Sequence, residues 1–197
     1  MLKRLFDLFF SIAGLLLLGP LLIFIALWIK SGSEGPIFFR QERVGRFGEI
    51  FRIHKFRTMK VDSESSGRLT VGIDSRVTKQ GKILRKLKLD ELPQLIDVFL
   101  GKMSLVGPRP EVQEFIDTYP DDIKFKVLSV KPGITDKASI EMVDENEILS
   151  KFDDPRAAYI TQILPIKQRY YVDYVDSRSL VMDIKIIFAT IYKIIFR

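Results

Sequence analysis

LFFSIAGLLLLGPLLIFIALWI, from Leu8 to Ile29, is a run of 22 residues without a formal charge, dense in Leu, Ile and Phe. As a helix it is long enough to cross ~30 Å of hydrocarbon. It fits a cleaved leader poorly, because the apolar stretch is too long and no Ala-x-Ala-like site follows. Its length and lack of polar relief also oppose a buried helix of a soluble protein, so the chain is expected at a membrane. Gly19-Pro20 lies in mid-segment, where proline removes one backbone donor and kinks or breaks a helix. Both flanks are basic, with Lys3 and Arg4 before the run and Lys30, Arg40, Arg43 and Arg46 after it. Two basic flanks fit a hairpin that enters and leaves by one face, whereas a spanning helix carries a Lys/Arg bias to one side. Pro-kinked spans are common, so these residues alone leave both topologies open. Trp28 and Lys30 read as an interfacial anchor at the end of the segment.

Outward from this segment, the charge is unevenly placed. The 197 residues hold 31 Lys and Arg against 25 Asp and Glu, a net charge of +6. Residues 1–110 carry 19 basic and 10 acidic residues, residues 111–160 carry 6 and 12, and residues 161–197 carry 6 and 3. The basic excess points to anionic partners: nucleic acid, nucleotide, phospholipid or polyprenyl phosphate. The absence of Cys excludes disulfides, thiol nucleophiles and thiolate metal centres. A single His, His54, argues against a His-based zinc centre or a His-dependent triad. Any metal is therefore expected to be a hard cation held by oxygen, such as Mg²⁺.

Beyond the segment the chain reads as one α+β domain, mostly helical. Residues 37–43 and 49–56 are β-prone runs around the turn Gly45-Arg46-Phe47-Gly48 and predict a hairpin. Residues 61–75 read as a loop rich in Ser, Gly and Asp. Helices are expected from Gly81 to Lys88 and from Leu92 to Leu100, the second stopped by Gly101. Leu180 to Phe196 is a mostly apolar helix with a narrow polar strip. It suits either the membrane interface or the core of the domain.

The chemistry concentrates in residues 85–110. Asp90-Glu91 stands just before Pro93, a residue favoured in a first helical turn, and acids there often only cap a helix. The surroundings argue for more. Arg85, Lys86 and Lys88 lie upstream, Lys55 and Arg57 end the hairpin, and Arg109 sits in Gly107-Pro108-Arg109-Pro110, where two prolines hold it. Paired carboxylates among guanidinium groups can bind phosphate and a divalent cation together, and an ionised Asp can attack phosphorus. His54 beside Lys55 reads as a structural strand-end residue, and the acidic run Asp144 to Glu147 as a solvated helix face.

Leu89-Asp90-Glu91-Leu92-Pro93-Gln94-Leu95, followed by Met103-Ser104-Leu105-Val106-Gly107-Pro108-Arg109-Pro110, resembles the bacterial sugar transferases, and more narrowly the small monotopic polyprenyl-phosphate phosphoglycosyl transferases. Lys55-Phe56-Arg57-Thr58-Met59, Asp74-Ser75-Arg76-Val77-Thr78, Lys131-Pro132-Gly133-Ile134-Thr135, Arg178-Ser179-Leu180 and Asp183-Ile184-Lys185 extend the resemblance over nearly the whole chain. The family has larger members with extra membrane helices, and the resemblance makes this chain the minimal catalytic unit. It implies transfer of a phospho-sugar from a UDP-sugar to undecaprenyl phosphate, releasing UMP, as the first membrane step of O-antigen, capsule or glycoprotein glycan assembly. It further implies Asp90 as nucleophile, Glu91 as its partner near Mg²⁺, and Lys55, Arg57, Arg85 and Arg109 as phosphate-binding groups. A re-entrant helix broken at Gly19 and Pro20 would span 1–30, a cytoplasmic catalytic core 31–178 and an interfacial helix 179–197. The site would face the cytoplasm from the inner membrane of a bacterium. Downstream glycosyltransferases would consume the product, and nucleic acid would not be a partner. A membrane-tethered basic binding module and a Mg²⁺-dependent phosphohydrolase are the alternatives. The chain also departs from the family pattern. Gly19 replaces the usual Ser of the break, Lys102 replaces an acid in the common Gly-Asp-Met-Ser, and the residues after Thr135 run Asp136-Lys137-Ala138-Ser139-Ile140 into an acidic stretch without Arg.

Overall fold

The computed structural model describes residues 1–61, 74–142 and 144–196. The loop expected over 61–75 lies almost wholly outside the described residues. The architecture is a mostly helical α+β fold with a long apolar N-terminal helix and small sheets. In chain order it comprises α1 (Leu2–Gly32), β1 (Phe38–Phe39), β2 (Glu42–Val44), β3 (Ile50–Arg52), β4 (Lys55–Phe56), α2 (Lys79–Lys86), α3 (Gln94–Phe99) and β5 (Ser104–Val106). It continues with α4 (Gln113–Ile116), α5 (Asp121–Val127), β6 (Gly133–Thr135), α6 (Lys137–Glu141), α7 (Glu145–Leu149), α8 (Pro155–Ala158), α9 (Leu164–Ser177) and α10 (Leu180–Ile195).

α1 runs as one helix through Gly19 and Pro20, so the two arms expected there are continuous in secondary structure. One side of its middle stands clear of the domain, Leu16 and Leu17 being 76% and 82% exposed, while on the other a Cβ at Gly14 would lie 3.1 Å from Leu95. Both ends are tied down. Near its start, buried Asp7 accepts from Ser104 Oγ and from the Leu105 N–H, both at 3.1 Å. Lys3 Nζ reaches Asp183 Oδ2 at 2.6 Å and the Val106 carbonyl at 3.1 Å. At the far end, Ile25 and Ile29 pack with Phe56 and Leu84 in a small apolar cluster. A polar N-terminal turn and an apolar C-terminal turn thus fasten one helix to one domain by different means.

The hairpin forms as expected, antiparallel, with Val44 opposite Ile50 and Phe38 opposite Phe56. Its turn places Phe47 at φ 59° and Gly48 at φ 83°. A left-handed conformation is easy for glycine and strained for phenylalanine. The Phe47 N–H donates to the Leu128 carbonyl at 2.8 Å, which holds the turn against the loop after α5.

The helix expected over 81–88 starts earlier, at Lys79, because Thr78 caps it by accepting from the Gly81 N–H. The helix expected over 92–100 shortens to α3, since Leu89–Glu91 form a separate 3₁₀ turn ahead of Pro93. Gly101 ends it at φ 79°, as predicted. β5 pairs in parallel with β6, Ser104 opposite Gly133 and Val106 opposite Thr135. Gly107 and Gly133 permit this crossing. A Cβ on Gly133 would lie 2.1 Å from the Gly107 nitrogen.

The main core gathers Phe115, Ile116, Tyr119, Leu149, Tyr159, Leu164 and Tyr171 from the helices after β5. α10 buries Asp183 and Ile186 against the domain and exposes Val181, Ile184, Phe188, Ile191 and Ile195. It is therefore not a core helix: its outward side is apolar. Tyr174 joins the α1–α10 junction, its hydroxyl 2.8 Å from Asp183 Oδ1 and 3.0 Å from the Val106 carbonyl.

Candidate active site

Asp90 and Glu91 occupy the 3₁₀ turn that links α2 to α3. Lys88 immediately before it adopts φ 56°, a left-handed kink that turns the chain sharply after α2. Asp90 is buried, its side chain only 4% exposed, and Glu91 keeps 17% exposure. β4 delivers Lys55 to both. Its Nζ lies 2.9 Å from Asp90 Oδ2 and 3.1 Å from Glu91 Oε1. Arg109, from the Pro-bounded loop after β5, grips Glu91 with both arms, Nη1 standing 2.9 Å from Oε2 and Nη2 against Oε1. Such a two-pronged fork is the strong geometry for guanidinium and carboxylate.

The electrostatics follow from these contacts. Burial acts to raise the Glu91 carboxyl, but Arg109 and Lys55 together hold it well below the usual carboxylate range. Glu91 in turn raises Arg109 well above its ordinary value, against the effect of burial. Burial lowers Arg85, with Asp90 and Asp74 opposing the shift. Burial likewise lowers Lys88, while Glu91 and Asp90 act to keep it charged and Arg109 and Lys55 add to the lowering.

Four of the residues read from the sequence thus meet, namely Asp90, Glu91, Lys55 and Arg109, and Arg85 stands near them with its Nε donating to Thr58 Oγ1 at 2.9 Å. Arg57 is not brought to this group. It is buried, and its guanidinium donates to the Ser33 carbonyl and hydroxyl, both at 2.9 Å, and to the Glu34 carbonyl. There it anchors the end of α1, satisfying carbonyls that the helix leaves open. Gly19 and Pro20 lie inside α1 between Gly14 and Ile25, and a Cβ on Gly19 would meet nothing within 4 Å. Lys88 belongs to the electrostatic surroundings of the pair. Its place in the Arg85-Lys86-Leu87-Lys88 run pointed that way, but only the left-handed backbone distinguishes it from Lys86.

His54 is structural, as expected. Its backbone N–H donates to Asp97 Oδ2 at 2.7 Å, and Nδ1 lies 2.8 Å from Asp97 Oδ1. Nε2, 2.6 Å from an Arg40 Nη, must accept, which assigns the ring proton to Nδ1. The acidic run is only partly a solvated face, because Glu145 pairs with buried Lys167 at 2.7 Å. Asp136, in the divergent loop, is buried and caps α6 by accepting from the Ser139 N–H and hydroxyl, and burial raises its carboxyl.

A second buried polar group braces the Arg109 loop. Arg43 donates to the Pro110 carbonyl at 3.0 Å, and Tyr159 donates to Glu111 at 2.8 Å while Lys167 donates to the Tyr159 oxygen at 3.1 Å. Nothing local in the sequence signals this bracing, since Arg43 lies 67 residues from Pro110 and Tyr159 lies 48 from Glu111.

The donor set is oxygen only. Asp90 and Glu91 supply two carboxylates, the number Mg²⁺ commonly takes from protein when substrate phosphates and waters complete its shell. Among the described residues no cluster of three or more His, Asp or Glu forms a self-sufficient metal site. The pair therefore suits a cation that arrives with phosphate.

The profile of the bacterial sugar transferases matches residues 1–197. A UDP-N-acetylgalactosamine-undecaprenyl-phosphate N-acetylgalactosaminephosphotransferase from Aeromonas hydrophila is 38% identical over 98% of this chain and 43% of its own length. A UDP-glucose:undecaprenyl-phosphate glucose-1-phosphate transferase from Escherichia coli (strain K12) is 38% identical over 98% of this chain and 40% of its own. The exopolysaccharide production protein PSS of Rhizobium leguminosarum bv. phaseoli is 37% identical over 96% of this chain and 93% of its own. The chain thus spans less than half the length of the first two relatives.

Proposed function

The chain belongs to the bacterial sugar transferase family, and from that premise we propose that it transfers a phospho-sugar from a UDP-sugar to undecaprenyl phosphate, with Asp90 as nucleophile. The observation that carries this reading is the unequal pairing of the two carboxylates. Among the described residues, Glu91 is held by both Arg109 and Lys55, whereas Asp90 is met by Lys55 alone. Glu91 is the anchor and Asp90 is the group with an oxygen to spend.

In the first half-reaction an Asp90 oxygen attacks the donor phosphorus that bears the sugar, the phosphoanhydride bond breaks, and UMP leaves with the bonding electron pair. In the second, a phosphate oxygen of undecaprenyl phosphate attacks the same phosphorus, and the Asp90 carboxylate is released with undecaprenyl-diphospho-sugar as product. Attack by a carboxylate on a diphosphate brings like charges together, and Lys55, Arg85 and Arg109 lower the cost of that approach. Lys55 and Arg109 do so by sharing their donors between the carboxylates and incoming phosphate oxygens. When bound, Mg²⁺ held by Asp90 and Glu91 supplies further charge neutralisation on the phosphate oxygens.

The acceptor's isoprenoid tail stays in lipid, so the site belongs at the interface. Support comes from α1 and α10. Asp7 and Ile25 of α1, ~27 Å apart along a straight helix, both attach to the same domain. A domain on one side of the bilayer is reached from both ends if α1 bends at Gly19-Pro20 and re-enters by the face it left. The exposed apolar side of α10 then lies on the same surface. In this reading the catalytic core, 31–178, faces the cytoplasm at the inner membrane of a bacterium, as a step of cell-surface glycan assembly.

The reading is tested by incubating purified protein with a panel of UDP-sugars, undecaprenyl phosphate and Mg²⁺. Lipid-dependent UMP release with one sugar supports it and identifies the sugar. Release that ignores the lipid favours a phosphohydrolase, and no release with any sugar favours a binding module.

A further inference from the structure

We propose that the cleft between the β2–β3 turn and the end of α3 is a second anion site, and that it holds the phosphate of an anionic membrane phospholipid. The cleft has a volume of about 450 Å³ and is lined by Arg46, Lys102 and Lys131, with Phe47, Ile50 and Leu100 beside them. None of Lys55, Asp90, Glu91 or Arg109 lines it. Glu49 is the only carboxylate among its lining residues.

The three cations line one cleft with a single carboxylate, Glu49, among them. Among the described residues none of them forms an ion pair with a carboxylate at 4.0 Å or less. Arg46 instead donates to the Ser129 carbonyl at 2.9 Å and lies over the Phe47 ring. Behind the cleft, Arg4 donates to the Val98 and Phe99 carbonyls at the end of α3. Gly101 stands between Arg4 and Lys131: a Cβ there would meet Arg4 at 3.2 Å and Lys131 at 3.4 Å. Burial, then Arg4, then Arg46 lower the Lys131 ammonium, with Asp7 opposing, so an anion placed here relieves repulsion that the fold leaves in place. Lys102 is the residue that replaces an acid in the common Gly-Asp-Met-Ser, and its charge has no part in the Asp90 site.

The surroundings select a lipid rather than a free anion. Phe47 is 71% exposed at a turn tip where its backbone is strained, and Ile50 and Leu100 are each 53% exposed. Arg4 belongs to the first turn of α1, the apolar helix. The cleft thus lies at the foot of the membrane segment with an apolar rim, the level at which phospholipid phosphates sit.

The test uses the full chain in a non-ionic detergent, titrated by microscale thermophoresis with dihexanoyl phosphatidylglycerol, dihexanoyl phosphatidylcholine and inorganic phosphate. Phosphatidylglycerol is expected to saturate and to bind tighter than the other two. Lys102→Glu and Lys131→Gln are each expected to weaken it about five- to tenfold, and Glu49→Gln to strengthen it. Thermal melting checks that each variant folds; should the lysine variants fail it, Glu49→Gln carries the test. Unchanged affinity in every folded variant overturns the proposal. So does inorganic phosphate binding as tightly as the lipid, or displacement of the lipid by a UDP-sugar.

Discussion

Arg109 grips Glu91 with both arms of its guanidinium, and one arm of that fork, Nη1 to Oε2, measures 2.9 Å. The fork fixes the carboxylate beside Asp90 in position and in charge. A lysine at the same place keeps the charge and loses the planar two-donor geometry. Arg109→Lys is therefore expected to lower kcat/KM for UMP release at least about tenfold, the scale of one charge-assisted hydrogen bond of ~1.5–3 kcal/mol. Steady-state kinetics at matched folding, checked by circular dichroism, measure it. An unchanged kcat/KM would remove Arg109 from the phosphate-handling set.

The depressed Glu91 carboxyl makes part of the stability pH-dependent. A carboxylate whose folded value lies below its unfolded value of about 4.5 contributes fully above that pH, and the contribution is lost as pH falls toward the folded value. Glu91→Gln is expected to melt lower than the parent at pH 7, by the equivalent of ~1–3 kcal/mol for a partly exposed paired group. The gap should narrow steadily below about pH 4.5. Thermal melts of both proteins between pH 7 and pH 3.5 test this, and a gap independent of pH would contradict it.

Asp183 is 1% exposed, with Lys3 at 2.6 Å as its cation. Removing Lys3 leaves that charge with the Tyr174 hydroxyl alone among the described contacts. Lys3→Met is expected to destabilise the protein by ~1–3 kcal/mol, since a buried charge loses its partner. Asp183→Asn combined with Lys3→Met should recover part of that loss. A double variant no better than Lys3→Met would show that the pair does not act as a unit.

If α1 re-enters, its two ends face the same side. The chain has no Cys, so single cysteines report cleanly. Leu2→Cys and Glu34→Cys, both at exposed positions, should both be labelled by a membrane-impermeant thiol reagent in inverted vesicles and neither in right-side-out ones. Labelling from opposite sides would establish a spanning helix.

What the sequence disclosed and what it hid divide along physical lines. The uncharged run, the turn at Gly45–Gly48, the stop at Gly101 and the Asp90-Glu91 pair are local signals, and each is found where its residues lie. Strands of two or three residues carry no usable period, and the parallel pairing of Ser104–Val106 with Gly133–Thr135 depends on two distant glycines that accept a close crossing. Arg57 looked like Lys55 because both are basic and lie two residues apart, but β4 ends at Phe56, so strand alternation does not carry Arg57 to the face of Lys55. Lys55 meets the carboxylates and Arg57 meets the end of α1. Lys3 reads in the sequence only as a basic flank of the apolar segment and Asp7 carries no local signal, and tertiary contact turns both into its fastening.

The central claim is that Asp90 carries the phospho-sugar between donor and acceptor. Intact-mass measurement of the protein after brief exposure to its UDP-sugar and Mg²⁺, without undecaprenyl phosphate, tests it most directly. The account predicts an added mass of one phospho-sugar, UMP released in matching amount, loss of the adduct on adding undecaprenyl phosphate, and neither adduct nor UMP from Asp90→Asn. Full UMP release by Asp90→Asn, with no adduct on either protein, would contradict it.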